Sequence, residues 1–112
     1  MTEAQFTSKI CKGLEAMGAF VFAIVGGNMQ RPGMPDRYVH HMRWQGFLEF
    51  KGEHGTVSQI QKYTINHLNK IVPGSAYIIR APNIIEDISG DVVGHFDSAN
   101  DLLLKLQEFT HV

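Results

Sequence analysis

Apolar residues in the first stretch, TEAQFTSKICKGLEAM, fall at Phe6, Ile10, Leu14 and Met17, the three- and four-residue spacing of an amphipathic helix. Thr2 and Gln5 stand at capping-box spacing ahead of that run, and Gly18 marks its end. AFVFAIV (19–25) is continuously apolar and rich in β-formers, so a buried strand is expected. GGNMQRPGMP (26–35) has the glycine and proline content of a loop. DRYVHH (36–41) and GFLEFKG (46–52) read as two strands of a hairpin, with RWQG (43–46) as the turn between them.

EHGTV (53–57) is a loop, after which Ser58 is placed to cap a second helix. Its expected inward stripe is Ile60, Tyr63 or Thr64, His67 or Leu68, and Ile71, and Pro73-Gly74 stop it. SAYIIRA (75–81) is a further strand. The pattern gives no firm element over 82–96, except that DVVGHF (91–96) suits a short edge strand. SANDLLLKLQEF (98–109) is a last helix with Leu102, Leu103, Leu106 and Phe109 on its apolar face. The expected order is α-β-β-β-α-β plus a C-terminal helix, a small mixed β-sheet flanked by helices in one α/β domain spanning 1–112.

Composition adds bounds. A chain of 112 residues builds one core without disulfides, and its single cysteine, Cys11, allows no internal one. No apolar run reaches the roughly 20 residues of a membrane span, and the N-terminus lacks a signal-peptide pattern, so a cytoplasmic protein is expected. The net charge of −1 does not announce a nucleic-acid binder, but its distribution is uneven. Residues 31–80 carry seven Lys and Arg against three acids, and 81–112 carry one lysine against six acids. A basic middle suits phosphate contact, and ordinary charge scatter accounts for it equally well.

The conspicuous chemistry lies in FLEFK. On a strand, Leu48 and Phe50 share an apolar face, while Phe47, Glu49 and Lys51 share the other, with the acid and the base roughly 7 Å apart. Buried charges without partners cost several kcal/mol each, on the order of the effective ionic desolvation penalty. Either this is an exposed edge strand with solvated charges, or something pairs with them. Asp36, thirteen residues before Glu49, opens the preceding strand. A hairpin turning near Trp44 brings Asp36 toward Glu49, and a divalent cation relieves the repulsion between such carboxylates. A lysine beside that cation orients a water or stabilises charge on a phosphate. Taken alone, Asp36 after proline is also an ordinary turn residue.

Gly33-Met34-Pro35-Asp36, then Glu49-Phe50-Lys51, then Ser58-Gln59-Ile60-Gln61 resembles the PD-(D/E)xK nuclease superfamily, and within it the small stand-alone VRR-NUC proteins of phage and bacterial origin. The resemblance covers roughly residues 2–80. It implies a restriction-endonuclease-like core and a Mg²⁺-dependent DNA endonuclease, with Mn²⁺ able to substitute. By that resemblance Asp36 and Glu49 are metal ligands together with the backbone carbonyl of Phe50, Lys51 is the catalytic lysine, and Gln61 is the glutamine beside the site. The family's N-terminal glutamate matches Glu3 best and Glu15 second. Val57 stands where leucine is usual, Gln59 where proline is frequent and Phe50 where valine is usual; none of these removes a catalytic group.

Phosphate contacts are expected from Arg31, Arg37, Arg43 and Lys62, with Arg80 as a further candidate. A core this small leaves little room to read sequence, so branched DNA cut by a homodimer is the expected substrate and assembly. Each accessory residue has a plainer reading. Gln61 stands at capping-box spacing from Ser58, Glu3 suits a helix first turn, and Arg43 and Trp44 suit a packed hairpin tip. His40, His41, His54 and His67 match no zinc spacing, and Cys11 suits a small helix residue. Two other classes of function stay open: a nucleic-acid-binding or assembly module that does not cut, and a soluble α/β protein with a solvated strand.

Overall fold

The computed structural model describes residues 1–25 and 31–110. Residues 26–30, within the loop expected over 26–35, lie outside the described residues, as do 111–112. Helix α1 spans Glu3–Ala16, and its capping box forms: the Gln5 N–H donates to Thr2 Oγ1, and the Thr2 N–H donates to Gln5 Oε1. Gly18 takes a positive φ of 93° just past its end, a conformation that side chains with a Cβ disfavour. Strands β1 (Phe20–Ala23), β2 (Arg37–His40) and β3 (Gln45–Lys51) follow, then helix α2 (Gln59–Ile71) and strand β4 (Ala76–Arg80). Strands β5 (Ile84–Glu86) and β6 (Val92–His95) precede helix α3 (Ala99–Thr110).

The six strands form one sheet in sequence order. Every neighbouring pair is antiparallel except β3–β4, which is parallel and is joined by α2 as the crossover. Helices α1 and α3 pack on one face over a core that includes Phe6, Leu14, Leu48, Phe50, Ile79, Ile85 and Leu103. The other face carries a smaller cluster of Val57, Ile65, Ala76 and Ile78 beneath α2. Strand β3 is therefore central, covered on both sides, and the solvated-edge reading of FLEFK does not hold. Leu48 and Phe50 point into the large core as the alternation requires.

Several expectations need correction. The hairpin turns at His41–Trp44, two residues earlier than RWQG, because Trp44 is buried and its indole N–H donates to the Gly74 carbonyl. Strand β1 is not buried: it is the sheet's edge, with Phe20 66% exposed. Among the described residues, helix α2 packs over β4 and not over β1 or β2. Helix α2 is also rotated from the expected stripe. Ile60, Tyr63 and Ile71 face solvent; Leu68, one of the expected positions, does pack inward, together with Gln61 and Ile65. The helix turns its first-turn glutamine, not its isoleucine, toward the charged face of β3. Strand β5 is an addition: three residues are too few to show an alternation. The DVVGHF strand and the α3 face through Leu102, Leu103 and Leu106 are as expected.

Candidate active site

The site begins with strand register. Arg37 of β2 lies opposite Leu48 of β3, so the next pair outward is Asp36 and Glu49. Directly opposed residues place their Cβ atoms about 5 Å apart on one face of a sheet. Asp36 ends the β2 ladder instead of extending it, for its Oδ2 accepts the Phe50 N–H at 2.9 Å. One pair further, the same register sets Pro35 opposite Phe50. Proline has no N–H, so it gives no ladder donor to the Phe50 carbonyl, which points to the same side as the Phe50 N–H. The Pro-Asp dipeptide thus opens the hairpin where two carboxylates and one carbonyl oxygen come together.

Glu49 is 1% exposed. Its Oε2 accepts Gln61 Nε2 at 2.9 Å and pairs with Lys51 Nζ at 3.2 Å. Its Oε1 is buried with no hydrogen-bond partner, and is the one such side-chain atom among the described residues. Burial first, and the Asp36 carboxylate second, push the Glu49 pKa from 4.5 up to about 7, against the opposing pull of Lys51 and Gln61. A buried carboxylate with one oxygen doubly bonded and the other orphaned is an unfinished site. Oxygen donors, two of them carboxylates, match the preference of Mg²⁺ and Mn²⁺. The residues present therefore fit a divalent cation, with Glu49 Oε1, Asp36 and the Phe50 carbonyl as its protein donors.

Gln61 does two things at once. Its N–H donates to Ser58 Oγ and its Oε1 accepts the Ser58 N–H, completing a capping box, while its Nε2 reaches Glu49. The loop entering the site is seated against the same helix: Gly33 has φ 79°, and a Cβ there would fall 2.5 Å from the Ile60 carbonyl oxygen. Glu3 accepts the Gly52 N–H at 3.0 Å, which brings the start of α1 to the end of β3. Glu15 lies twelve residues further along α1, about 18 Å at the helical rise, so Glu3 and not Glu15 meets the end of β3. Glu3 does not make a third ligand; among the described residues no three of His, Cys, Asp and Glu converge as a metal-holding group.

A cleft of about 420 Å³ opens beside Asp36, lined by Glu3, Thr7, Cys11, Glu15 and Arg37 among others. Arg37 donates to the Asp36 carbonyl at 3.0 Å and lies in this cleft, Arg31 is exposed, and Lys62 sits half-buried beside Gln61. Two expected phosphate contacts are corrected. Arg43 is at the β2–β3 hairpin tip, the opposite end of the strands from Asp36, and donates to Asn100 Oδ1 at 2.8 Å. Arg80 is committed internally, to Glu86 Oε2 at 2.7 Å and to the Gly52 and Gly55 carbonyls. Sequence reasoning missed this clamp; the basic end of AYIIR beside the acid of IIE was its only signal. His41 is buried and bonded to the Met17 carbonyl while His40 is exposed on the other face, so the two do not share a metal. Burial pushes the Cys11 thiol pKa up, which lowers its thiolate fraction.

Fold and site together define an α/β protein whose hairpin opens onto a carboxylate pair, a lysine and a glutamine. No known family model and no curated protein matches the chain.

Proposed function

We propose that this protein is a divalent-metal-dependent nuclease of the PD-(D/E)xK kind, with a restriction-endonuclease-like core and the motif order of the small VRR-NUC proteins. The observation that carries the reading is the orphaned, buried Oε1 of Glu49 across from Asp36, with Lys51 and Gln61 on the other oxygen. Asp36, Glu49 and the Phe50 carbonyl would hold a divalent cation, which would supply Lewis-acid polarisation of the scissile phosphate and a more acidic water. Gln61 holds Glu49 Oε2, which leaves Oε1 as the oxygen without a partner. Lys51, 3.2 Å from Glu49 Oε2, would orient the attacking water and stabilise the charge that develops on the phosphate. Arg31, Lys62 and Arg37 contact flanking phosphates, fixing position without reading bases.

Branched DNA is the substrate form this reading favours. The test is a panel of linear duplex, flap and four-way junction DNA at equal ionic strength with Mg²⁺, Mn²⁺ or EDTA. Cleavage of the branched forms is expected with either metal and none with EDTA. Glu49→Ala is expected to abolish it and Lys51→Ala to reduce it by about 10³-fold, and full activity in both variants sinks the assignment. Titration calorimetry with Mn²⁺ separates the non-cleaving module: no heat of binding, with DNA affinity indifferent to metal, supports that module instead.

A further inference from the structure

Helix α2 turns two different faces to its surroundings. Inward, Gln61 reaches Glu49 and Ile65 packs on the sheet. Outward, Tyr63, His67 and Lys70 are exposed, Tyr63 by 71%. At about 100° per residue these three fall on one side of the helix, away from Gln61. The Tyr63 and His67 rings are stacked, with centroids 6.3 Å apart and planes 6° from parallel. Rings held parallel in this way are already ordered, so a third ring joining the stack costs less side-chain entropy.

The charge around this pair has one sign. Between Glu53 and Glu86 the chain holds no acid, and it holds Lys62, Lys70 and Arg80. Arg80 is bonded within the fold, whereas Lys62 and Lys70 join no ion pair among the described residues. A solvated helix face ordinarily mixes both signs. Lys62 lies about 100° round the helix from both Gln61 and Tyr63, between the carboxylate pair and the stacked rings. Lys70 lies beyond the rings, about 10 Å along the axis from Tyr63.

We propose that the outward face of α2 holds an unpaired stretch of a DNA strand, with a base stacked on Tyr63 and phosphates on Lys62 and Lys70. Cations alone attract any polyanion, and an exposed aromatic alone suits many partners. Stacked rings set between two cations match the alternation of base and phosphate along a single strand. A duplex keeps its bases stacked on one another and offers Tyr63 no free base. Branch points and flaps do offer one, so Tyr63 discriminates substrate form without reading sequence. The inference rests on the nuclease reading and names the residue that selects branched DNA over duplex.

Fluorescence anisotropy of labelled DNA in EDTA, where nothing is cut, tests it. The full chain is titrated against a fork with single-stranded arms and against a blunt duplex of equal length. Tighter binding of the fork is expected. Tyr63→Ala should weaken fork binding by about tenfold, within the range for losing one stacked base, and leave duplex binding within about twofold. Tyr63→Trp should restore the fork preference. Lys70→Ala should weaken both forms evenly and lower the slope of log affinity against log salt by about one. An equal loss on fork and duplex in Tyr63→Ala overturns the proposal. No loss on the fork overturns it too, and assigns the face, with its exposed Ile60 and Ile71, to a protein partner. A Tyr63→Ala variant that cuts branched DNA with undiminished preference overturns this inference alone and leaves the nuclease reading standing. A protein that binds the fork through Tyr63 but cuts nothing with Mg²⁺ or Mn²⁺ keeps this face and removes the nuclease reading.

Discussion

Two buried ion pairs stand side by side on adjacent strands, and they are built to different ends. Lys51 lies opposite Arg80 in the parallel β3–β4 register. Arg80 donates its Nε–H to Glu86 and its Nη1 to the Gly52 and Gly55 carbonyls, so that cation is held within the fold by three of its five N–H donors. Lys51 and Gln61 both serve one oxygen of Glu49 and leave the other with none. The first pair is closed and fastens the loop that follows Lys51. The second is open and lies opposite Asp36 in the strand register. A buried charge left short of a partner costs stability, and sites that accept a ligand are where such a cost persists.

Breaking each pair should separate the two roles. Glu49→Gln or Lys51→Ala is expected to reduce metal-dependent cleavage by about 10³-fold, the scale of losing one positioned transition-state contact. Glu49→Gln should at the same time leave the metal-free protein no less stable at pH 8, because it removes the orphaned charge. Arg80→Ala should do the opposite to the fold. It leaves Glu86 buried without its cation and is expected to cost about 3–5 kcal/mol in urea denaturation. If Glu49→Gln proves as destabilising as Arg80→Ala, the open pair is a structural one and the contrast fails.

The pH dependence of the metal-free protein sharpens the same contrast. Glu49 holds its proton to about pH 7 when folded, against 4.5 as its ordinary value. Between those values the folded chain binds more protons than the unfolded one, so stability falls as pH rises through this window. The loss is about 3.5 kcal/mol at about 1.4 kcal/mol per pKa unit. Mg²⁺ or Mn²⁺ binds the ionised form, so metal affinity should drop about tenfold per pH unit below 7. Saturating metal at about 100 times its Kd should restore about 2.7 kcal/mol at pH 8. Thermal melts over pH 4.5 to 8, with and without Mn²⁺, measure both trends, and Glu49→Gln should flatten them.

How much of this was legible follows from what kind of information each feature needs. Glu49 and Lys51 on one face of a strand follow from an alternation of period two, and Asp36 opposite Glu49 follows from a hairpin whose turn is only slightly misjudged. Capping boxes at Thr2 and Ser58 are local, and both form as read. The rotation of α2 was hidden because Ile60, Tyr63 and Ile71 make the better apolar stripe. What decides is that the first turn must face a charged strand, which is tertiary information. The same limit hid the exposure of β1: FVFA reads identically whether a helix covers it or not. Arg80 was expected to reach phosphate because its partner sits in a strand too short to recognise. Arg43 was misjudged because the hairpin tip lies at the far end from the opening that Pro35 and Asp36 make.

The smallest effect worth measuring is at Gln61, where the two roles of one side chain can be told apart. Gln61→Glu keeps an acceptor for the Ser58 N–H, so the capping box survives, but sets a second carboxylate against Glu49 Oε2. Gln61→Ala loses both the cap and the Glu49 contact. If the side chain served only the helix end, the glutamate variant would be nearly as stable and as active as the wild type. If it also orients Glu49, both variants should lose about tenfold in cleavage, with Gln61→Ala alone showing the loss of about 1 kcal/mol typical of a missing cap. The glutamate variant carries the sharper reading, since added negative charge beside Glu49 should raise affinity for Mn²⁺ in calorimetry while turnover falls. Unchanged turnover in Gln61→Glu would return Gln61 to the helix end alone and leave Lys51 as the one group holding Glu49 in place.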